Sequence, residues 1–235
     1  MRTLGFMAAA LCAAVALAPS AHAASFPITG LYNTGTTDNG GILAKNGATD
    51  SHWTITPDAT GVTSQAITYN VDPNGCTYYC VSDAAWLGVG GGGFQSYTYS
   101  LSFDMTGKDI STASLFGLFG ADNEASVYLN GHLLTSYLAD HDGSYHSFQA
   151  FQGLHDFSAD SSDFLAGLNV LSFSVTDYDA PSALLVTGLG GSANPSEHAI
   201  AAVPESATWA MMLAGFGLIG GMLRRRSVRP STAAA

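Results

Sequence analysis

Four histidines, His132, His141, His146 and His155, fall within twenty-four residues, beside Asp140, Asp142 and Asp156. Imidazole and carboxylate are the ligands that zinc and its neighbours take. Spacing alone does not bring residues of different strands together, and histidines at the solvent edge of hairpins would ligate nothing. Carboxylates also alternate in two short segments, Asp140-His141-Asp142-Gly143 and Asp177-Tyr178-Asp179, and Asp38-Asn39-Gly40 is a further oxygen-rich turn. That pattern suits calcium, which collects about six to eight oxygens, backbone carbonyls included. Asp140, Asp142, Asp177 and Asp179 are the candidate metal ligands and calcium is the candidate ion. No segment matches a complete EF-hand loop, and ordinary solvated acidic loops remain the alternative.

A second chemistry is stacking on a sugar. A flat aromatic ring covers the apolar face of a pyranose, and the candidates are Tyr78, Tyr79 and Trp86, with Tyr145 and Tyr178 on later loops. Each of these rings would serve equally well in a core or at its rim, and Trp53, within an alternating segment, reads as core. Tyr78 and Tyr79 lie between Cys76 and Cys80, after the turn sequence Asp72-Pro73-Asn74-Gly75. In an oxidising compartment these two cysteines are expected to form a short-loop disulfide of modest stabilising effect. A metal would need two further ligands nearby, and the local sequence offers none.

Enzyme signatures are missing. There is no Gly-x-Ser-x-Gly elbow and no His-Glu-x-x-His helix, and the glycine run Gly90 to Gly93 lacks the Lys and Ser/Thr of a phosphate loop. A glycosidase working through two aspartates stays open, but the chain reads as non-catalytic.

The elements that must carry these residues are strands. From Ser96 to Met105, odd positions are apolar or aromatic and even positions polar, a period of two. Leu171 to Thr176 repeats the pattern. So does Ala125 to Leu129, which runs through Asn130-Gly131, the preferred two-residue hairpin turn, into His132-Leu133-Leu134. Weaker strands read at His52 to Thr56, Gln65 to Val71, Ser114 to Phe119, Ser144 to Phe151 and Ser182 to Leu189. Turn clusters stand at Asn39-Gly40-Gly41, Gly90 to Gly93, Asp140 to Gly143 and Ala159 to Asp163. No stretch between the two ends shows a helical period, so the expected fold is an all-β sandwich, jelly-roll-like, over residues 24–189. Residues 190–203, rich in Gly, Ser, Ala and Asn, read as a flexible linker.

The two ends read as signals. Met1-Arg2, an apolar run from Leu4 to Ala18 and Ala21-His22-Ala23 make residues 1–23 an N-terminal signal helix cleaved after Ala23. Leu11 before Cys12 is not the small residue a lipoprotein signal would carry. At the other end, Ser206 to Leu223 is free of charge and is followed by Arg224, Arg225 and Arg226. As a helix that run would span about 27 Å, enough for a single transmembrane helix with its arginines cytoplasmic and Trp209 at the opposite interface. Residues 227–235 are an expected disordered tail. Between the signals, from Ala24 to Val203, two lysines face seventeen acidic residues, a formal charge of −15. Such a surface repels nucleic acid, so no nucleic-acid partner is expected, and it attracts cations.

The motif Pro204-Glu205, with Trp209-Ala210-Met211-Met212, the glycine-rich span and the three arginines, resembles the PEP-CTERM sorting signal over residues 204–226. Ser206 stands where that family usually has a second proline. The resemblance implies a protein exported by a Gram-negative cell, membrane-anchored first and then processed near Pro204-Glu205 by an exosortase-type enzyme, ending at the cell surface or in the extracellular matrix. The passages 97–119, 121–131 and 166–188 also weakly resemble galactose-binding-like jelly rolls, which often hold one structural calcium and place ligand residues on variable loops. The expected role is a polysaccharide-associated carbohydrate-binding or matrix component. A structural adhesion protein with protein partners is the alternative, and a glycan-active hydrolase a second one.

Overall fold

A computed structural model describes residues 26–71, 78–90, 95–138, 150–178, 181–196 and 206–226. Eleven strands and one α-helix follow in order among them, with a single 3-10 turn at Ser161–Asp163: β1 (Phe26–Pro27), β2 (Thr49–Pro57), β3 (Ser64–Ile67), β4 (Leu87–Val89), β5 (Gln95–Asp104), β6 (Lys108–Asp122), β7 (Glu124–Leu129), β8 (His132–Tyr137), β9 (His155–Ala159), β10 (Leu168–Asp177), β11 (Ser182–Pro195) and α1 (Ser206–Arg226). They form two antiparallel sheets. One has six strands in the order β3-β2-β5-β10-β7-β8. The other runs β1-β11-β6-β9, with β4 also paired to β11. Neighbours such as β5–β10 and β6–β11 are distant in sequence, the crossing-over that a jelly-roll-like sandwich requires.

The alternation read from the sequence sets which face meets which. Tyr97, Tyr99, Leu101 and Phe103 of β5 point inward and are buried, and opposite them in register lie Val175, Phe173, Leu171 and Asn169 of β10. The second sheet contributes Leu115 and Phe119 of β6, Phe157 of β9, and Leu184 and Val186 of β11. Phe173 sits at the meeting point, with ring centroids 5.7 Å from Phe119, 5.4 Å from Phe157 and 5.8 Å from Trp53. Each such aromatic, fully removed from water, stabilises the sandwich by roughly 1.5–3 kcal/mol. The Asn130-Gly131 turn behaves as its residues dictate, with φ of 54° and 84°.

The boundaries differ from expectation in one informative place. The stretch from Gly190 is not a tether at its start, because β11 continues to Pro195, pairing Gly190 with Phe116, Ser192 with Ser114 and Ala193 with Phe26 of β1. These glycines serve close approach. A Cβ on Gly191 would stand 2.6 Å from the Ser114 carbonyl oxygen, and one on Gly190 would stand 3.0 Å from the Phe116 ring. The sandwich therefore extends past Leu189. Another strand, His155–Ala159, occupies sequence read partly as a turn; the expected strand at 144–151 lies mostly outside the described residues.

A loop knot closes one edge. Asp50, fully buried, accepts from the backbone N–H of Gly35 (2.7 Å), His52 (2.8 Å) and Trp53 (3.2 Å), tying the segment before β2 to β2 itself. The His52 ring stacks on Tyr32 at 3.6 Å, and its Nε2 lies 2.7 Å from the Asp38 carboxylate.

Candidate ligand-binding site

The aromatic cluster flagged in the sequence lies on the outer face of the five-stranded sheet. Gly120 of β6 opens the space for it. A Cβ there would be 3.0 Å from the Trp86 ring, so the indole lies directly on the sheet. Tyr78 meets Trp86 edge-on at 5.2 Å and stacks on Phe151 at 4.5 Å. The Trp86 Nε1–H donates to the Tyr79 carbonyl oxygen at 3.1 Å, so the indole is held at its polar edge as well. The Tyr78 hydroxyl donates to the Asp122 carboxylate. Tyr78, Ala84, Trp86, Ala183 and Leu185 together form a small second core, separate from the sandwich interior.

Over this cluster opens a pocket of about 240 Å³. Tyr78, Trp86 and Leu185 contribute to its lining with Tyr69, Asn70 and Lys45, the last being one of the two lysines between residues 24 and 203. Tyr78 and Trp86 are 9% and 8% exposed, so they act as a rigid floor. Tyr79, at 43%, is exposed but does not line the pocket. Cys80 does line it, and Cys76 lies outside the described residues, so their expected disulfide falls there too. Tyr69, Asn70 and Lys45 were not singled out from the sequence. The usable signal was Tyr69-Asn70, one residue ahead of the Asp72-Pro73-Asn74-Gly75 turn sequence.

The expected metal ligands are divided. Asp177 ends β10 and is fully buried, while Asp140, Asp142 and Asp179 lie outside the described residues. Among the described residues no group of three His, Cys, Asp or Glu side chains is placed to hold a metal ion. A calcium site is therefore not assembled by the described residues. Asp177 does act on its surroundings: the Tyr99 phenol is pushed up chiefly by burial, with the charges of Asp177 and Asp122 adding to it. Tyr97 is raised by burial first and then by Asp177. Tyr178 is pushed up to about 12, by burial and then by its hydrogen bond to Glu124.

Among the described residues, His132 and His155 belong to no group placed to hold a metal ion. His132 pairs at 3.5 Å with Asp163, and the His155 ring lies tilted against Tyr137 with centroids 3.8 Å apart, its pKa lowered by burial against the opposing pull of a backbone hydrogen bond and Asp156. His141 and His146 lie outside the described residues.

Of the residues expected to form a sorting motif, Trp209 and Ala210 fall in the first turns of α1 and are exposed, as is Arg224 near its end. Arg225 and Arg226 close the helix, and Pro204 and Glu205 lie outside the described residues. Among the described residues no helix is long and apolar enough to cross a membrane. The described side chains of α1 are continuous only from Trp209 to Gly221, about 20 Å of helix. They are apolar around the axis, with Met211, Leu213, Phe216, Leu218 and Ile219 all exposed.

No family model matches the chain, and no curated protein matches it in sequence. Several solved structures are similar to it in part. The carbohydrate-binding module TmCBM61 in complex with β-1,4-galactotriose shares 10% identity, with 63% of this chain and 95% of that one covered at a TM-score of 0.35. A Stig cyclase from Fischerella sp. TAU shares 13% identity over 71% of this chain and all of its own, at 0.40. A GH31 α-xylosidase from Xanthomonas citri shares 10% identity, at 0.26, with 73% of this chain covering only 19% of that enzyme. Likeness at this level fixes no function.

Proposed function

We propose that this is an exported, non-catalytic β-sandwich protein that binds neutral carbohydrate through the pocket over Trp86. The observation that carries the reading is the composition of that pocket: a rigid aromatic and aliphatic floor of Tyr78, Trp86 and Leu185, with the Tyr69 ring, the Asn70 amide and the Lys45 ammonium around it. The floor matches the apolar face of a sugar ring, and the amide, phenol and ammonium supply donors and acceptors for its hydroxyls. At about 240 Å³ the pocket falls below the roughly 300–1,000 Å³ of sites for drug-sized ligands, a size suited to one sugar unit. No carboxylate lines it among the described residues, whereas glycoside hydrolysis needs two. That supports binding without chemistry.

The anchoring follows from the tail. An apolar helix with no charge before Arg224 supports a single membrane span from about Ala207 to Leu223, entering from the periplasmic side, with the arginines held in the cytoplasm and removed when an exosortase-type enzyme cuts near Pro204-Glu205. The Cys76–Cys80 disulfide belongs to the same reading, since an exported chain matures where thiols oxidise.

A neutral-glycan array, run with and without calcium, tests the binding. Tyr69→Ala and Lys45→Ala should each weaken it, Tyr69→Ala by about tenfold or more as for a truncated aromatic anchor. If no neutral glycan binds under either condition, the reading fails and a matrix protein with protein partners takes its place.

A further inference from the structure

On the same outer face as the pocket floor, β6 carries a second aromatic laid down over a glycine. Gly120, beneath Trp86, is followed outward along the strand by Leu118 and then Phe116, since alternate residues share a face. Phe116 lies four residues from Gly120, about 13 Å along the strand. It is 58% exposed, among the more exposed large apolar side chains of the sandwich, and Leu118 beside it is 38% exposed. Phe116 is opposite Gly190 in register, and a Cβ added to Gly190 would stand 3.0 to 3.7 Å from three atoms at the far end of the ring. The ring therefore reclines over the neighbouring strand and leaves its other side to solvent.

The surroundings of this ring are polar. Ser158 of β9 is opposite Phe116, Asp156 is opposite Leu118, and Ser114 and Ser192 form the adjoining pair, their hydroxyls 3.5 Å apart. Directly paired side chains on one face are about 5 Å apart, so the ring stands within reach of hydroxyls and a carboxylate. Phe116 and Leu118 are too little apolar surface for a second copy of the chain. A stable protein interface buries about 800 Å² per partner, and two copies of a domain carrying −15 would repel. A single flat ring within a polar border instead matches one pyranose, whose apolar face stacks while its hydroxyls meet the serines and Asp156. The acidic surface favours a neutral sugar over an anionic one.

We infer that Phe116 is a second sugar subsite on the face that carries the pocket, so that the ligand is a neutral polysaccharide chain engaging both and not an isolated monosaccharide. The inference rests on the carbohydrate-binding reading of the pocket and adds the class of ligand to it. Two weak subsites on one rigid sheet bind a chain more tightly than either binds its own unit, because the second contact is intramolecular.

The test compares short and long ligands on the purified full chain. Affinity electrophoresis and calorimetry are run with galactose, glucose and cellobiose on one side and β-1,4-galactan, dextran and hydroxyethyl cellulose on the other, with polygalacturonate as the anionic control. The wild type should bind one of the neutral polymers at least tenfold more tightly, per binding unit, than its short counterpart. Phe116→Ala and Phe116→Leu should remove most of that gain while leaving the short ligand's affinity within twofold, and Phe116→Tyr should keep it. Gly190→Ala, which lifts the ring off the sheet, should act in the same direction as Phe116→Leu. Equal affinity for short and long ligands overturns the inference and leaves the pocket reading standing. The same holds if Phe116→Leu matches wild type, if short and long ligands weaken alike, or if Phe116→Ala instead abolishes self-association in sedimentation. Absence of any binding by the wild type defeats both readings.

Discussion

Replacing Asp50 with alanine should destabilise the sandwich severely. The carboxylate is fully buried and satisfies three backbone donors: the N–H of Gly35 on Oδ2, and those of His52 and Trp53 on Oδ1. Alanine removes an ionised acceptor and leaves these donors to find others in a space closed to water. A hydrogen bond to a charged group contributes about 1.5–3 kcal/mol, and a stranded buried donor costs about 1–3 kcal/mol. These terms overlap, so the summed cost is set at about 3–5 kcal/mol, the range for breaking a buried polar network. Against a typical total of about 5–15 kcal/mol, that is a large share. With a urea m-value of about 2 kcal/mol/M, the midpoint should fall by roughly 2 M. Trp53 lies in the perturbed segment, so tryptophan fluorescence during urea unfolding follows the transition. Asp50→Asn keeps one acceptor oxygen but turns an NH₂ toward a backbone N–H, and should fall between wild type and alanine. A cost under about 1 kcal/mol for Asp50→Ala would show that this carboxylate does not fasten the loop.

Other expectations follow from the same coordinates. Gly191→Ala brings a Cβ to 2.6 Å from a backbone carbonyl, which cannot swing away, so it should cost about 1–3 kcal/mol in thermal or urea unfolding. His155, whose pKa is lowered by burial, stays neutral in the folded chain where an unfolded histidine charges; its contribution to stability is present above pH 6.5 and is lost as pH falls from there toward the folded value, readable from its NMR titration. For Tyr178, raised to about 12, the sign is opposite in direction of pH. The unfolded phenol ionises near pH 10 while the folded one remains neutral, so its contribution is lost as pH rises from 10 to about 12, and phenolate absorbance should show a late-titrating tyrosine. Under the proposed sorting role of the tail, neutralising Arg224, Arg225 and Arg226 together should reduce both its retention and its processing; intact-mass spectrometry should then show less C-terminal trimming, and unchanged trimming would remove the arginines from that proposal.

The strands were legible because a half-buried sheet imposes a period of two. From Ser96 to Met105 alternation predicted not only a strand but which side of it faces Trp53 and Phe173, and the pairing of Tyr99 with Phe173 bears that out. Short strands escaped for the same reason: Leu87–Val89 offers too few positions for a period to appear, and His155–Ala159 sits against a cluster of acidic and serine residues that reads as a turn. The candidate site was half legible. Its rings, Tyr78 and Trp86, were named, with core packing and ligand stacking both open for them, because a tyrosine between two cysteines has the same composition whether it floors a pocket or faces water. Phe116 was hidden for a different reason. It belongs to an alternating strand as its outward member, and no local rule distinguishes an outward aromatic from one that a neighbouring layer will cover.

Glycine marks the point at which composition stops being a guide to physical state. The run from Gly190 to Ser192 looks like a linker, since flexible tethers are built from these residues. Yet Gly191 is where β11 passes within reach of the Ser114 carbonyl, with Ile28 and Leu31 against it, and Gly190 is where the Phe116 ring comes to rest. Gly120 does the same for Trp86. In each case the missing side chain is filled by a partner remote in sequence, so the evidence that it is a packing glycine lies on another strand. Two of these positions, Gly120 and Gly190, also shape the surface: the absence of a Cβ lays two aromatic rings on one sheet face, one flooring a pocket and one open to solvent. An alanine at Gly120 or Gly190 would test both roles together, since it should lift a ring and weaken ligand binding before it unfolds the sheet.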